Sequence, residues 1–249
     1  MALFEARHLS KRFGDRVVLE DITLTFEQGQ LSGIMGPNGA GKSTCFNVLT
    51  GHFPPDRGQV LLDGEDITGL SPRKIAQKGV ARSFQIMSLF DEFTVLENVL
   101  FALPEMRRRG MNPFKSVASD KAAIDKALAV VEQVGLADSV DVRSSSMSYG
   151  GRRALEIAVA LAAEPRVLFL DEPTQGMGAE GRDRLLELIL RLKRRFSIVM
   201  IEHDMDFLFR LADRVSVIHW GQVIAQGTPD ELRADPWVRR ARLGVDADA

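Results

Sequence analysis

The residues with the clearest chemical potential form a glycine-rich loop that ends in a lysine and two hydroxyl residues. Residues 36–44 read GPNGAGKST and match the pattern G-x-x-x-x-G-K-[ST]. Glycines let consecutive backbone amides turn towards phosphate oxygens, and a helix that starts behind them adds its partial positive charge. The predicted phosphate-binding residues are Gly36, Asn38, Gly39, Ala40, Gly41, Lys42, Ser43 and Thr44. In this pattern the lysine holds the β- and γ-phosphates and the first hydroxyl ligates Mg²⁺.

Two adjacent carboxylates, Asp171 and Glu172, follow the apolar run of residues 167–170. Such a run is typical of a parallel strand buried on both faces, and open α/β sheets bind ligands where these strands end. Asp171 is suited to Mg²⁺, directly or through water, and Glu172 can act as a general base or orient the attacking water. An acidic pair after a strand is by itself more often a turn or a cap. The phosphate loop in the same chain favours the catalytic interpretation.

The elements around these residues predict an α/β fold with a parallel sheet. Residues 31–35 form an apolar run before the loop, and residues 42–50 have helical character, which gives strand, loop and helix. Residues 167–170 and 197–201 are further buried strands, and the helix between them requires a right-handed crossover. The predicted apolar stripe of that helix is Leu185, Ile189, Leu192 and Phe196.

Other patterns divide the rest of the chain. Residues 17–26 and 58–64 predict extended stretches, and from about 93 to 163 the pattern becomes helical. A capping box, Thr94 to Glu97, opens that region. One of its helices is predicted to bury Ile124, Leu128 and Val131.

The last part of the chain, about 214–249, predicts a hairpin with a glycine turn followed by a helix that starts with a second capping box at Thr228. No internal repeat or low-complexity linker interrupts the sequence. We therefore expect residues 1–249 to form one domain with a helical insert.

Composition excludes several classes of protein. The chain has 249 residues, of which 45% are hydrophobic, and a formal charge of −2, which gives no global attraction to nucleic acid. A single cysteine, Cys45, excludes an intramolecular disulfide framework and suits a reducing compartment. The most apolar stretch, 154–170, contains two glutamates, a proline and an arginine, so no membrane-spanning helix is expected. The N-terminus lacks a secretory signal pattern, so we expect the cytosol.

An ordered set of motifs extends the phosphate site over nearly the whole chain. Gln85 ends the stretch ARSFQ, the helical region leads into MSYGGRR at residues 147–153, and His203 lies in IEHD after a predicted strand. In this order the motifs resemble the nucleotide-binding subunits of ATP-binding cassette transporters. The resemblance implies a P-loop NTPase (RecA-like) core with a mostly parallel sheet, an N-terminal antiparallel β subdomain and a helical signature subdomain.

The resemblance also implies roles for individual residues. Phe13 corresponds to an aromatic platform under adenine, although a phenylalanine at a strand end can also be simply buried. Gln85 would link Mg²⁺ and the attacking water to a permease, and His203 would donate to the γ-phosphate, whereas a lone histidine is more often a cap or surface group. The residues that would face the γ-phosphate of an opposing subunit are Ser148, Gly150 and Gly151.

The signature departs from the family's common Leu-Ser-Gly-Gly-Gln. Met147 replaces the leucine, Tyr149 the first glycine and Gly151 the glutamine, and residues 173–178 lack an aspartate that is often found there. These departures look like the branch that imports branched-chain and other amino acids, amides and urea. The stretches that resemble this branch are residues 81–85 with 89–90, 94–98, 149–150 with 155–158, and 227–231 with 235–236 and 243–244.

The resemblance implies ATP hydrolysis that drives solute import, with ATP and Mg²⁺ as cofactors. The implied partners are membrane permease subunits, a second ATPase subunit of the same or a different kind and, indirectly, an extracytoplasmic solute-binding protein. Such a chain would lie peripherally on the cytoplasmic face of the cell membrane, and no nucleic acid partner is expected. The alternatives are a soluble cassette ATPase in DNA repair or translation, or a weakly hydrolysing ATP-binding regulator.

Overall fold

The strands form two sheets in the computed structural model, which describes residues 2–83, 89–108 and 120–240. The strands are β1 (Ala2–Phe13), β2 (Arg16–Glu27), β3 (Leu31–Met35), β4 (Arg57–Leu62), β5 (Glu65–Asp66), β6 (Val80–Arg82), β7 (Val167–Asp171), β8 (Ser197–Ile201), β9 (Arg214–His219) and β10 (Gln222–Gly227).

The helices pack on these sheets, and α1 lies between them. They are α1 (Lys42–Leu49), α2 (Pro72–Gln77), α3 (Val95–Ala102), α4 (Pro104–Arg108), α5 (Lys121–Gln133), α6 (Tyr149–Ala162), α7 (Ala179–Leu192), α8 (Met205–Leu211), α9 (Pro229–Ala234) and α10 (Pro236–Arg240). In the described ranges, none of them is long and apolar enough to cross a membrane.

The larger sheet has the order β10-β9-β3-β8-β7-β6 and is parallel except for the pair β9–β10. Every residue of β3, β7 and β8 is buried, because helices cover one face of these central strands while α1 and the smaller sheet cover the other. This burial on both faces explains why their sequences are mostly apolar and do not alternate. The predicted strand–helix–strand crossover is confirmed, since α7 connects β7 to its parallel neighbour β8.

The smaller sheet, with the order β2-β1-β4-β5, is antiparallel throughout, as predicted for the N-terminal region. It packs on the parallel sheet through a cluster of aromatic rings. Phe169 of β7 lies 5.2 Å from Phe4 and 5.1 Å from Phe46 between ring centroids, in edge-on geometry. The helix behind the phosphate loop is thus packed between the two sheets.

Helices α3, α5 and α6 pack on one another in the helical region. The capping box at Thr94 is present, with both reciprocal hydrogen bonds. The predicted buried face of α5 was wrong for Leu128, which is 37% exposed, whereas Ala123, Ala127 and Val131 are buried. The buried face of α5 is centred on Ala123, Ala127 and Val131, and Leu128, one position after Ala127, lies outside this face. The division of the chain into one domain with an insert at 93–163 stays a prediction.

The tail hairpin lies against the phosphate loop. The amide of Gly221 donates to the carbonyl of Ala40 at 3.0 Å, and the carbonyl of Gly221 accepts from Glu20 at 2.8 Å. Trp220 and Gly221 both have positive φ, 46° and 76°, which is typical of a tight two-residue hairpin turn. The second capping box, at Thr228, is confirmed. The C-terminal hairpin therefore supports the loop that precedes α1.

Candidate nucleotide hydrolysis site

The predicted chemistry gathers at one edge of the parallel sheet. Ile34 of β3 and Asp171 of β7 both lie level with Ile201 of β8 in the strand register. The three strands run in the same direction, so the segments that follow them emerge side by side. This alignment places the phosphate loop, Glu172 and His203 at the carboxyl ends of adjacent strands.

Glycine is required at two positions of the phosphate loop. At Gly36, with φ 153°, a Cβ atom would lie 2.0 Å from the carbonyl oxygen of Ile218. At Gly41, with φ 102°, it would lie 2.8 Å from the carbonyl oxygen of Val18. The loop therefore turns in a space that is closed by β9 and β2, and only residues without a side chain fit there.

The other loop residues differ in exposure. Asn38, Gly39 and Ser43 are exposed, Thr44 is half-buried and Ala40 is buried. Because Gly39 has φ 80° with no atom within 4 Å of its Cβ position, its constraint is conformational and not steric. The exposed residues are the ones placed to meet a ligand from solvent.

Lys42 is 5% exposed, and its ammonium group lies inside the loop. It donates to the carbonyl oxygens of Gly36 at 2.8 Å and Pro37 at 3.0 Å. Burial lowers the pKa of Lys42, and the negative charges of Glu172 and Asp171 oppose that shift. Since the phosphate loop follows β3 and Glu172 follows β7 at the same edge of the sheet, the lysine and the acidic pair belong to one site.

Asp171 is 3% exposed and forms a buried ion pair. Its Oδ2 accepts from Nη2 of Arg82 at 2.6 Å, and Nη1 of Arg82 donates to Asn47 at 2.7 Å and to Thr50 at 3.0 Å. The sequence reasoning missed Arg82 as a site residue. The available signal was an arginine at the end of a short strand that leads into Gln85, since an arginine at such a position needs a partner.

The oxygen donors at this edge suit Mg²⁺. Magnesium prefers hard oxygen ligands and is usually held by one or two carboxylates together with substrate phosphates. The buried carboxylate of Asp171 lies close enough to Lys42 to affect its pKa, and Ser43 follows that lysine with an exposed hydroxyl. The donor chemistry therefore fits this ion.

Glu172 and His203 approach each other across the strand ends. Nδ1 of His203 lies 3.9 Å from Oε2 of Glu172, with side-chain exposures of 54% and 16%. Glu172 has φ 41°, in the left-handed region that non-glycine residues seldom occupy. Its amide donates to the carbonyl of Ile201 at 3.0 Å, which ties this strained residue to β8. The structure thus brings the two predicted catalytic groups together, and their roles stay predictions.

A second buried acid, Glu202, supports this pair and was not identified from the sequence. It is 1% exposed, its Oε1 accepts from the Thr174 amide at 2.9 Å and its Oε2 accepts from the His203 amide at 3.2 Å. Burial raises the pKa of Glu202, and hydrogen bonds from Thr174 act against that shift. Its signal was a charged residue directly after the apolar run of residues 198–201.

The signature residues meet at the start of α6. Ser148 is the N-cap residue, and its Oγ accepts from the Gly151 amide at 3.2 Å. The Cβ position of Gly150 faces open space, and that of Gly151 lies 3.1 Å from Cε of Met147. No hydrogen bond among the described residues joins these three to the phosphate loop. Their contact with a nucleotide therefore stays a prediction.

Phe13 ends the first strand and is 44% exposed, so the alternative of a simply buried phenylalanine was wrong. Its ring meets Phe53 edge-on at 5.3 Å, and Nζ of Lys11 lies 5.5 Å from its centroid. One face of the β1–β2 hairpin reaches the phosphate loop through the Val18 carbonyl. The adenine-stacking role of Phe13 stays a prediction. Gln85 lies outside the described residues, so its roles also stay predictions.

A glycine phosphate loop behind a parallel strand, with an acidic pair at the end of another strand, defines a P-loop nucleotide hydrolase. The chain belongs to the ABC transporter family, whose model matches residues 19–175. A second model, described as a branched-chain amino acid ATP-binding cassette transporter, matches residues 222–248. The family predicted from the ordered motifs is confirmed, and the chain is an ATP-binding ATPase.

Relatives match over almost the full length of the chain. It is 39% identical over 253 residues, 97% of this chain and 98% of the relative, to the high-affinity branched-chain amino acid transport ATP-binding protein BraF of Pseudomonas aeruginosa. It is 37% identical to LivG of Salmonella typhimurium, a protein with the same description, at the same coverage. It is also 33% identical to the lipopolysaccharide export system ATP-binding protein LptB of Haemophilus influenzae, over 98% of both chains.

Solved structures agree with the fold. The ADP conformation of MJ1267, an ATP-binding cassette of an ABC transporter, superimposes with a TM-score of 0.87 at 29% identity, covering 98% of this chain and all of that one. A nucleotide-free cassette from an ABC transporter gives a TM-score of 0.85 at 28% identity, with the same coverage. The predicted fold class is therefore confirmed.

Proposed function

We propose that this chain is the ATPase subunit of a membrane importer for branched-chain amino acids. The observation that supports ATP hydrolysis is that Lys42, Asp171 and Glu172 lie at the same edge of the parallel sheet. The solute class is supported by relatives named for branched-chain amino acid transport and by the matching model of the C-terminal tail. Urea, amides and other amino acids are the neighbouring possibilities, because solutes do not contact an ATPase subunit.

The reaction is the attack of water on the γ-phosphate of ATP, with ADP as the leaving group. Positioning and charge stabilisation supply most of the catalysis in such a transfer. Lys42 stabilises the charge on the β- and γ-phosphates, and Glu172 orients the water and accepts its proton. His203, 3.9 Å from that glutamate, donates to the γ-phosphate. Phe13 supports the adenine ring from the β1–β2 hairpin.

Mg²⁺ would be held by Ser43, Asp171 and Gln85. When bound, the ion neutralises charge that develops on the phosphate oxygens. Arg82 keeps the Asp171 carboxylate in a defined orientation through the 2.6 Å hydrogen bond. The arginine is itself fixed by Asn47 and Thr50, so the carboxylate is already oriented.

A second ATPase subunit completes the site in this proposal. Ser148, Gly150 and Gly151 lie at the N-terminus of the 14-residue helix α6, where amides and the helix dipole favour an anion. These residues would face the γ-phosphate held by the phosphate loop of the opposing subunit. Closure of the two subunits on ATP and reopening after hydrolysis would then drive the permease.

An apolar groove between α2, β6 and α6 offers a place for the permease. It has a volume of about 200 Å³ and opens next to Ser83, two residues before Gln85. Its apolar walls are formed by Ile75, Ala76, Leu89, Val159, Ala160 and Ala163. We propose that a permease helix docks there at the cytoplasmic face of the membrane, while a binding protein delivers solute from the other side.

The test is ATP hydrolysis and leucine uptake by the assembly that copurifies with the full chain from membranes, reconstituted in liposomes. Glu172→Gln should lower kcat at least about 100-fold with little change in nucleotide affinity, because it removes a group that acts on the reacting water. Glu187→Gln, on the exposed face of α7, is the matched control and should leave kcat unchanged. Hydrolysis that is unaffected by Glu172→Gln, or that occurs without leucine uptake, would contradict the proposal.

A further inference from the structure

The start of helix α6 binds the backbone of the segment that carries the catalytic glutamate. The hydroxyl of Tyr149 donates to the carbonyl of Gln175 at 2.7 Å. The guanidinium of Arg153 donates to the carbonyls of Asp171 at 3.2 Å, Glu172 at 2.9 Å and Pro173 at 3.2 Å. We call Tyr149 and Arg153 the carbonyl clamp. Two side chains one helical turn apart thus hold four carbonyls in a stretch of five residues.

Arg153 is the largest of the fully buried side chains among the described residues, with 2% exposure. Its Nη1 donates to Oε2 of Glu156 at 2.7 Å, one turn along the same helix. Glu156 is 6% exposed, so the ion pair is shielded from water. The planar guanidinium therefore has a fixed orientation and can present its other N–H groups to three successive carbonyls.

The clamp acts on a strained residue. Glu172 has φ 41°, and such a conformation persists only where the surrounding structure over-determines it. Its own carbonyl and those on either side are held by Arg153, and its amide is held by Ile201. On the far side Glu202 holds the amide of Thr174. The backbone of Glu172 is consequently fixed between the signature helix and the loop of His203.

The tyrosine and the loop that it contacts fit each other. Gly176 has φ 78°, and a Cβ atom there would lie 3.1 Å from the hydroxyl oxygen of Tyr149. Glycine, which the family commonly has at position 149, offers no side chain to reach Gln175. The segment 173–178 also lacks the aspartate often found in the family. The Tyr149 side chain on α6 therefore connects the signature helix to the segment 173–178.

We propose that Tyr149 and Arg153 are positioning residues for hydrolysis, which couple the position of the signature helix to the orientation of Glu172. This inference rests on the proposed function, in which the signature of one subunit faces the ATP of the other. When Ser148 to Gly151 engage that ATP, the start of α6 is held, and the clamp transmits this constraint to the glutamate of its own site. Neither residue touches the reacting atoms.

The test compares Tyr149→Phe, Arg153→Lys and the double variant in the reconstituted assembly of full-length chains. Tyr149→Phe removes only the hydroxyl of a side chain that is 43% exposed, so the fold is retained. Losing the hydrogen bond to the Gln175 carbonyl, three residues after Glu172, should lower kcat about 3- to 10-fold, while the Kd for ATP changes less than about 2-fold. The two substitutions should be non-additive in kcat, because both act on one segment.

Ser144→Ala is the matched control, since the Ser144 hydroxyl also donates to a backbone carbonyl, that of Phe90 at 2.9 Å, but away from the segment after Glu172. It should leave kcat unchanged even if it lowers the unfolding temperature. Hydrogen exchange at the amides of Glu172 and of residues 174–177 should accelerate in Tyr149→Phe and not in the control. A kcat of Tyr149→Phe equal to wild type, or a loss of ATP affinity in place of kcat, would overturn the inference.

These results are separable from a failure of the proposed function. If wild type shows no permease-dependent hydrolysis, the proposed function fails. If wild type is active and Glu172→Gln is not, but Tyr149→Phe and Arg153→Lys match wild type, only the carbonyl clamp fails.

Discussion

The phosphate loop and the carbonyl clamp hold polar backbone in a constrained shape by different means. In the loop, Gly36 and Gly41 turn in spaces that the carbonyls of Ile218 and Val18 close to any side chain. In the clamp, long side chains reach across from a helix to hold backbone that is not glycine, including Glu172 with φ 41°. The phosphate loop keeps its shape because its glycines have no side chains. The segment after Glu172 keeps its shape because side chains of α6 donate hydrogen bonds to it.

This difference determines how each half fails. Adding a methyl group should damage the phosphate loop, because the neighbouring carbonyls cannot move without disturbing β9 or β2. Removing donors should damage the clamp, because buried carbonyls and Glu156 would lose their partners. The following substitutions test this contrast.

Gly36→Ala should have the largest effect, since its Cβ would lie 2.0 Å from a backbone oxygen. We expect nucleotide affinity to fall about 100-fold or more, equivalent to about 2.7 kcal/mol. Gly39→Ala is the control in the same loop, because it also has positive φ but open space around it. The strain at that position should cost about 1–2 kcal/mol. Nucleotide titration and urea unfolding measure both, and equal losses in the two variants would refute the steric explanation.

Arg153→Met should have the largest effect on folding stability, whereas Gly36→Ala has the largest effect on nucleotide affinity. Removing one partner of a buried ion pair costs about 3–5 kcal/mol of unfolding free energy. The double variant with Glu156→Leu should recover about 2 kcal/mol, the part that comes from the glutamate left without its arginine. The remaining loss of unfolding free energy comes from the three carbonyls, those of residues 171–173, that lose their hydrogen bonds from Arg153. If urea unfolding shows no recovery in the double variant, the ion pair does not contribute to the cost.

Arg82→Lys tests the buried ion pair with Asp171, and it should lower the free energy of unfolding less than Arg153→Met does. A lysine keeps the charge but cannot donate in a planar fork to Asp171, Asn47 and Thr50 together, so we expect a loss of about 1–2 kcal/mol. The matched control is Arg166→Lys, whose pair with Asp63 is about half exposed on both sides. An exposed pair of this kind should change stability by less than about 0.5 kcal/mol. Similar losses in the two variants would show that burial does not matter here.

Substitution of Cys45 should have the smallest effect on stability. The reactivity of its thiol reports whether α1, the helix behind the phosphate loop, stays folded. Burial raises the pKa of its thiol from 9.0 to about 12, so the native thiolate fraction is about 1000-fold lower than in the unfolded chain. Ellman's reagent should react at the rate of unfolding, and immediately in urea. Since the unfolded thiol ionises first, the free energy of unfolding should fall as pH rises above about 9, and Cys45→Ala should lack this slope. Rapid labelling of the native chain would contradict the burial.

Much of the fold could be predicted because its signals are local. The apolar runs of β3, β7 and β8, the capping boxes at Thr94 and Thr228 and the glycine loop each follow from a few neighbouring residues. Leu128 was placed wrongly because its periodicity predicted a helix correctly but did not determine which face of α5 packs on α3 and α6. The choice of the packed face depends on tertiary contacts.

The site shows the same limit. Lys42, Asp171 and Glu172 could be predicted from short local patterns, and His203 from the ordered motifs that resemble the family. Arg82, Arg153 and Glu202 were not predicted, because their contacts in the site are with residues distant in sequence. Arg82 and Asp171 are 89 positions apart, and a pairing of that kind exists only after the strands have found their order.

The clamp also affects how the chain can change over evolutionary time. Tyr149, Arg153 and Glu202 bind carbonyl and amide groups, which every residue type supplies, proline lacking only the amide. Apart from Gly176, where a Cβ atom would lie 3.1 Å from the Tyr149 hydroxyl, the side chains of the segment after Glu172 are therefore not specified by these contacts. We expect substitutions at its other positions to leave the path of the segment unchanged. Hydrogen bonds to the main chain make the shape of a loop independent of most of its side chains. Those side chains are then available to adapt to a new partner.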